Sequence, residues 1–294
     1  MKKAIDWNEE ERDELARLQK LVPFELLCNW MRERERVRLA KSDGLQAPWT
    51  NDPVLRHYRF CNVCRIDDKV SQWLLKNWYE PFHNHKNSLI ACVLARQFNR
   101  IETLAAIGFP KVWNPVRVHA VVQKQMLLGP VYSAAYVITG TLSKEKKPHQ
   151  SIYSVVDVIH KAKPLVNASS MKDTADMLMT FRGISSFTSG QIVADLRHAI
   201  GGTWADRMQW APIGPGSRRG MNRLLGRELL AKMRQGEFGG LLEALIENLG
   251  SEDMGGITDC MEAMDYQNCL CEFDKYSRVV HATGRFPKQK YKGT

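Results

Sequence analysis

The stretch Phe181–Gly226, FRGISSFTSGQIVADLRHAIGGTWADRMQWAPIGPGSRRGMNRLLG, restricts the fold more than any other part of the chain. An apolar helix end runs into Phe181-Arg182-Gly183-Ile184-Ser185-Ser186-Phe187, and the sequence predicts a new helix from Thr188. Ile192, Val193, Leu196 and Ile200 recur there at the spacing of one helical face. Gly183 permits a turn with positive φ, and Ser185, Ser186 and Thr188 supply capping hydroxyls. The free N–H groups of such a helix start suit a phosphate held without regard to base sequence. Farther on, Gly214-Pro215-Gly216-Ser217-Arg218-Arg219-Gly220 opens another helix. Glycines beside a helix N-terminus, followed by two arginines, form a second anion-binding corner. The expected phosphate-backbone contacts are therefore Gly183, Ser185, Ser186, Thr188, Gly214, Gly216, Ser217, Arg218 and Arg219.

The turn between the two helices resembles the helix-hairpin-helix of the DNA glycosylase superfamily, with Ser185 in place of that family's second turn glycine. An ordinary helix–turn–helix corner is the competing reading of the same residues. The resemblance implies a hairpin gripping backbone phosphates beside a base rotated out of the duplex. No aspartate stands at the family's usual catalytic position, and the nearest is Asp206, between Trp204 and Trp210. Phe187 lies where bifunctional members keep a nucleophilic lysine. If the chain cuts a glycosidic bond, the resemblance implies water as the nucleophile and an abasic site as the product.

Composition sets outer limits. A chain of 294 residues with 44% hydrophobic content can bury a substantial core, as one large domain or two small ones. The formal charge of +10 favours a polyanionic partner. No apolar run reaches membrane-spanning length and no signal peptide precedes Ile5, so the expectation is a cytoplasmic monomer without a membrane partner. Seven cysteines, an odd number, read as reduced thiols. Cys61-x-x-Cys64 is the only motif inviting metal, and Cys269, Cys271, His83 and His85 do not complete a zinc pattern. No metal and no cofactor are expected.

Taken in order, Asp6 or Asn8 caps a first helix whose opening turn is Glu9-Glu10-Glu11. Met31–Lys41 (MRERERVRLAK) reads as a solvated helix face and Ser42–Pro53 as a loop. Asp67 is placed to cap a helix carrying Val70, Trp73, Leu74 and Trp78. Leu89–Ile107 reads as one apolar core helix, followed by Val116–Leu128. Val131–Gly140 is β-branched and aromatic enough for a small hairpin, and Lys144–Lys147 form a basic turn. Helices are expected over Ser151–Ala162, Met171–Phe181, Glu228–Gln235, Leu241–Leu249 and Ile257–Val280. The tail Arg285–Lys292 is basic with interleaved aromatics. The expectation is a mostly α, glycosylase-like helical fold with a small β-hairpin. Residues 1–54 would be a helical extension, and 55–294 a two-lobed domain with its hairpin near 181–190.

Three ordered blocks bear on the chemistry: Phe60-x-Asn62-Val63-x-Arg65-x-x-Asp68, the hairpin with Gly214-Pro215-Gly216-Ser217, and Cys271-Glu272-Phe273-Asp274-Lys275-Tyr276-x-Arg278. Together they resemble the phage-associated DNA base hypermodification family, labelled alpha-glutamyl/putrescinyl thymine pyrophosphorylase or 5-hydroxymethyluracil DNA kinase helical domain. The resemblance implies a polar pocket of Asn62, Arg65, Asp68, Glu272, Asp274 and Lys275, with Phe60 beside it as a substrate contact. Ion pairs between helices would account for the same charged residues.

Two enzyme classes and one binding class follow. Glycosidic hydrolysis needs a carboxylate beside an oxocarbenium-like state, and Asp274, Glu272, Asp206 and Asp68 all qualify. An ATP-dependent reaction would need a nucleotide site, and no G-x-x-x-x-G-K-[ST] run is present. Transfer of an amino acid or polyamine onto an activated 5-hydroxymethyluracil survives that test. A non-catalytic DNA-binding module is the third class. The reading favoured on sequence is a monofunctional glycosylase that flips a 5-hydroxymethyl-derived pyrimidine, plain or glucosylated, out of double-stranded phage DNA, in anti-phage defence.

Overall fold

The computed structural model describes residues 5–133, 148–166, 169–287 and 290–291. Most of the hairpin expected over Val131–Gly140, and all of Lys144–Lys147, lie outside these residues. The described chain is mostly helical, and its single β-type pairing is the antiparallel bridge between Tyr58 and Lys290. It divides into two compact units, one of residues 1–67 with 213–294 and one of residues 68–212. The N-terminal helices, set apart as 1–54 on sequence, thus share a unit with the last third of the chain.

The first unit begins with α1 (Glu9–Lys20), α2 (Pro23–Ser42) and the short α3 (Pro53–His57). Asn8 and Glu11 form a reciprocal capping box on α1, Asn8 Oδ1 accepting from the Glu11 N–H at 2.9 Å. Pro23 sits in the first turn of α2, where its missing N–H costs nothing. Asp52 caps α3 through the N–H groups of Val54 and Leu55.

The second unit holds α4 (Lys69–Leu74), α5 (Ser88–Phe98), α6 (Ile101–Ile107), α7 (Pro115–Leu128), α8 (Pro148–Ala162), α9 (Met171–Met179) and α10 (Ser186–Ile200). The expected single helix Leu89–Ile107 is two, because Asn99 adopts a left-handed conformation (φ +46°) that ends α5. Ile90 to Ala95 and Phe98 of α5 are buried, against Ile192, Val193 and Leu196 of α10 among others. Arg96 and Asp195 join the two helices through a buried ion pair.

The chain returns to the first unit as α11 (Pro215–Leu224), α12 (Gln235–Gly250) and α13 (Ala263–Val280). No helix forms at 228–234, so one helix, α12, stands where two shorter ones were expected. The long helix expected from Ile257 is a 3-10 turn and then α13, separated by extended backbone at Met261 and Glu262. α13 is the axis of this unit. Its Leu270, Phe273, Tyr276 and Val280 are buried in a core with Leu18, Leu27, Trp30 and Met31 of the N-terminal helices. α11 lies backbone-to-backbone on α13: a Cβ on Gly220 would stand 2.1 Å from the Leu270 carbonyl oxygen, and one on Gly216 would stand 2.3 Å from Cys271 Sγ. Glycine is required at both positions by that approach.

Candidate functional site

The block Phe60–Arg65 has no helix of its own, so its backbone groups need partners from elsewhere. α13 supplies them. The Cys61 N–H reaches Glu272 Oε2 at 3.4 Å, the Arg65 N–H reaches Asp265 Oδ1 at 2.8 Å, and Cys269 donates from its thiol to the Val63 carbonyl at 3.6 Å. Phe60 is a buried anchor with edge contacts to Trp30 and Tyr276 at 6.3 and 6.1 Å between ring centres. Arg34 of α2 closes the loop from the other side. Its Nε donates to the carbonyls of Phe60 (3.3 Å) and Cys61 (3.0 Å), and its Nη2 donates to Asn62 Oδ1. Asn62 Nδ2 then donates to the Asp67 carbonyl at 2.8 Å. Two sequence blocks about two hundred residues apart, assigned to one pocket by resemblance, are therefore neighbours within the first unit.

Within this cluster Glu272 is buried and pairs with Lys275 one turn along α13. Burial alone would lower the Lys275 ammonium, but the negative field of Glu272, Cys271 and Cys61 holds it above the usual lysine range. The Lys275 side chain is 38% exposed and is the part of the cluster that reaches water. Asp68 begins the second unit at the N-cap position of α4. Asp67, expected to cap that helix, instead ends a 3-10 turn and meets Arg38 at 3.3 Å.

Asp274, two residues beyond Glu272 on α13, has no solvent exposure and lies amid three arginines. Arg219 Nε reaches Oδ2 at 2.9 Å, Arg223 Nε reaches Oδ1 at 3.0 Å, and Arg278 Nη2 is 3.6 Å from Oδ2. A carboxylate so surrounded suits an organiser of cations better than a proton shuttle. Asp206 belongs to the second unit. It accepts from the N–H groups of Met171 (2.8 Å) and Lys172 (2.9 Å) and from the Ser170 hydroxyl, completing the start of α9. The four candidate carboxylates thus have three different settings, and only Glu272 and Asp274 share a helix.

The corner at 180–185 has the expected ingredients. Gly183 has φ +94°, and Ser185 caps α10, its Oγ accepting from the Thr188 N–H at 3.3 Å. The helix begins at Ser186, two residues earlier than predicted, because Ser185 rather than a later hydroxyl takes the cap. Phe187 is 41% exposed on its first turn. At the other corner Ser217 is fully buried. Its Oγ accepts from the Gly214 N–H (3.0 Å) and from Gln267 Nε2 (3.2 Å), and donates to the Gly214 carbonyl. Gly216 faces Cys271, whereas Arg218 and Arg219 are half-buried on α11.

Sequence reasoning passed over Arg34, Arg223 and Asp265. Arg34 was hidden in MRERERVRLAK, where mixed charge suggested a solvated face. It is buried because the loop carbonyls at 60 and 61 need a donor. Arg223 follows Arg219 by one helical turn, the only signal that could have flagged it. Among the described residues no group of three or more His, Cys, Asp or Glu side chains is placed to hold a metal, and neither Cys61 nor Cys64 forms a disulfide.

A family profile described as "5-hmdU DNA kinase, helical domain" matches residues 22–285. The 5-hmdU DNA kinase of Bacillus phage SP10 is 25% identical over 204 residues, 60% of this chain and 32% of the relative. The chain thus spans about a third of that relative's length. No solved structure matches the chain. These similarities overturn the expectation of a monofunctional glycosylase. Family and relative are both named for a kinase, a modifying activity that leaves the glycosidic bond in place, and the group-transfer alternative lies closer to them. No described helix is long and apolar enough to cross a membrane. With nine-tenths of its length inside the profile, the chain belongs to the 5-hmdU DNA kinase helical-domain family.

Proposed function

We propose that this chain engages double-stranded DNA carrying 5-hydroxymethyluracil and presents the hydroxymethyl group of that base for modification by group transfer. The observation that carries the reading is the stitching of the 60–65 loop to α13 within a region the family profile spans continuously. The reading takes Asn62, Arg65, Glu272 and Lys275, which belong to the stitched segments, as the polar contacts, with Lys275 as the solvent-reaching member. A positioned ammonium beside a buried carboxylate can read a hydroxyl, the group that distinguishes this base from thymine. In the kinase version of the reaction, the hydroxymethyl oxygen attacks the terminal phosphorus of a nucleoside triphosphate, loses its proton and displaces the diphosphate. The reading assigns the DNA side of that reaction to this chain. The basic balance of the chain and the cap of α10 at Ser185 supply sequence-independent grip on the backbone.

The test is a pair of duplexes identical except for one 5-hydroxymethyluracil in place of thymine, titrated by fluorescence anisotropy at fixed salt. The modified duplex should bind about tenfold more tightly, the worth of one good charged hydrogen bond. Lys275→Ala should erase that preference while leaving affinity for the thymine duplex in place. Equal affinity of the wild type for both duplexes would sink the reading.

A further inference from the structure

The arginines around Asp274 are held in an unusual way. A guanidinium that serves only to neutralise a carboxylate ordinarily presents its two-pronged edge, giving two parallel bonds. Here Arg219 and Arg223 each touch Asp274 through Nε, one to each carboxylate oxygen. Neither makes a further hydrogen bond through its terminal nitrogens among the described residues, and Nη2 of Arg223 is buried without a partner. Buried donors are rarely left so, and a missing acceptor is the usual reason. Arg278 lies against the same carboxylate, with its Nη1 anchored on the Arg285 carbonyl at 2.6 Å. Three cations on one anion leave a local excess of positive charge. The side chains of Arg219, Arg223 and Arg278 are 29, 12 and 20% exposed, so the excess is half-buried yet open to solvent.

Sequence spacing produces this geometry. Arg219 and Arg223 stand four apart on α11, Asp274 and Arg278 four apart on α13, so each pair lies along one helix face. Gly216 and Gly220 let α11 approach α13 closely enough for both arginines to reach the one carboxylate.

We infer that Arg219 and Arg223, oriented by Asp274, form a binding site for a phosphoryl group. Asp274 acts as a positioning residue: it fixes the Nε side of each guanidinium and leaves the terminal nitrogens to donate to another acceptor. A tetrahedral phosphoryl anion carries enough acceptors to take up those donors, and its charge matches the local excess. The phosphoryl group has two possible sources, a free phosphate ester and the DNA backbone. The inference is independent of which base the DNA carries, so it can stand or fall apart from the base reading above.

The probe is inorganic phosphate, followed by the shift in melting temperature and by calorimetry at matched ionic strength against chloride. The wild type should be stabilised by phosphate over chloride. Arg219→Gln with Arg223→Gln should weaken phosphate binding by about tenfold or more. Arg223→Lys, which keeps the charge and loses the planar fork, should weaken it too. Arg227→Gln removes a cation whose partner is the exposed Glu237, outside the cluster, and should leave phosphate binding unchanged. An unmodified duplex is then added to the phosphate-bound protein. Displacement of phosphate assigns the site to the DNA backbone, and simultaneous binding assigns it to a phosphate ester. No phosphate-specific stabilisation of the wild type, or undiminished binding in a folded double variant, would overturn the inference.

Discussion

Tyr276 donates its phenolic hydrogen to Asp52 Oδ2 at 2.5 Å, tying the middle of α13 to the cap of α3. Both residues are buried, and the other oxygen of Asp52 accepts from the N–H groups of Val54 and Leu55. Burial pushes the Asp52 carboxyl up to about 6, against the opposing pull of these three donors. Tyr276 stays protonated, because burial and the nearby Asp52 charge raise it well above its ordinary value. The first unit is therefore closed by a short bond whose acceptor titrates in a mildly acidic range.

That bond makes stability depend on pH in a stated direction. The folded pKa of Asp52 exceeds its unfolded value, so folding takes up a proton between roughly pH 4 and 6. Its contribution is full below the unfolded pKa and is lost as pH rises through the folded one. The loss is on the order of 3 kcal/mol for about two units. Asp52→Asn keeps a capping acceptor and cannot titrate. Denaturant melts across that range should show wild type losing stability relative to the variant as pH rises, and parallel curves would refute the assignment.

Gly220 gives a sharper mechanical test. A methyl there would meet the Leu270 carbonyl at 2.1 Å, and backbone cannot yield as a side-chain tip can. Gly220→Ala should cost about 3 kcal/mol or more by forcing α11 off α13. Gly239 of α12 has nothing within 4 Å of its would-be Cβ, so Gly239→Ala should be neutral or stabilising by up to about 1 kcal/mol. Two Gly→Ala changes in helices, opposite in sign, separate close packing from propensity.

Arg34 should matter out of proportion to its place in a charged run. Arg34→Ala would leave the carbonyls of Phe60 and Cys61 and Asn62 Oδ1 without this donor. A loss of about 2–4 kcal/mol is expected. Hydrogen exchange should rise selectively at the Cys61 and Arg65 amides, which depend on the loop lying along α13. Uniform acceleration across the first unit would mean Arg34 supports the core rather than the loop.

Arg34 also marks the limit of what the sequence discloses. Helical periodicity and caps are local, so α1 and α10 were legible from Asn8 and Ser185, and α7 and α9 from their apolar stripes. Breaks that depend on one residue's backbone, such as Asn99 between α5 and α6, were not. The pairing of the 60–65 block with α13 came from resemblance, because nothing local ties Cys61 to Glu272. The ring of arginines on Asp274 was illegible for the same reason. In the sequence Arg219 reads as part of a phosphate corner and Arg223 is passed over, because only the close approach allowed by Gly216 and Gly220 brings both to α13.

The core of the second unit holds a buried polar network between α5 and α10. Arg96 of α5 donates from Nε to Asp195 Oδ2 of α10 at 2.6 Å, and Tyr79 donates to the same oxygen at 2.6 Å. Arg96 also reaches Ser71 and Asn99, so the guanidinium has partners on several sides. All three principal members are buried, which makes the network expensive to break and inexpensive to replace. Asp195→Ala would strand a buried guanidinium, and the expected loss is about 3–5 kcal/mol. Tyr79→Phe removes one donor while the ion pair persists, so about 1–2 kcal/mol is expected. Replacing both charges at once, Arg96→Met with Asp195→Leu, removes the desolvation penalty along with the attraction. It should fall within about 2 kcal/mol of wild type in either direction. A double-mutant cycle by urea melts reads this directly. Additive losses in the double variant would show that the pair contributes no coupling and that these helices are held by apolar packing alone.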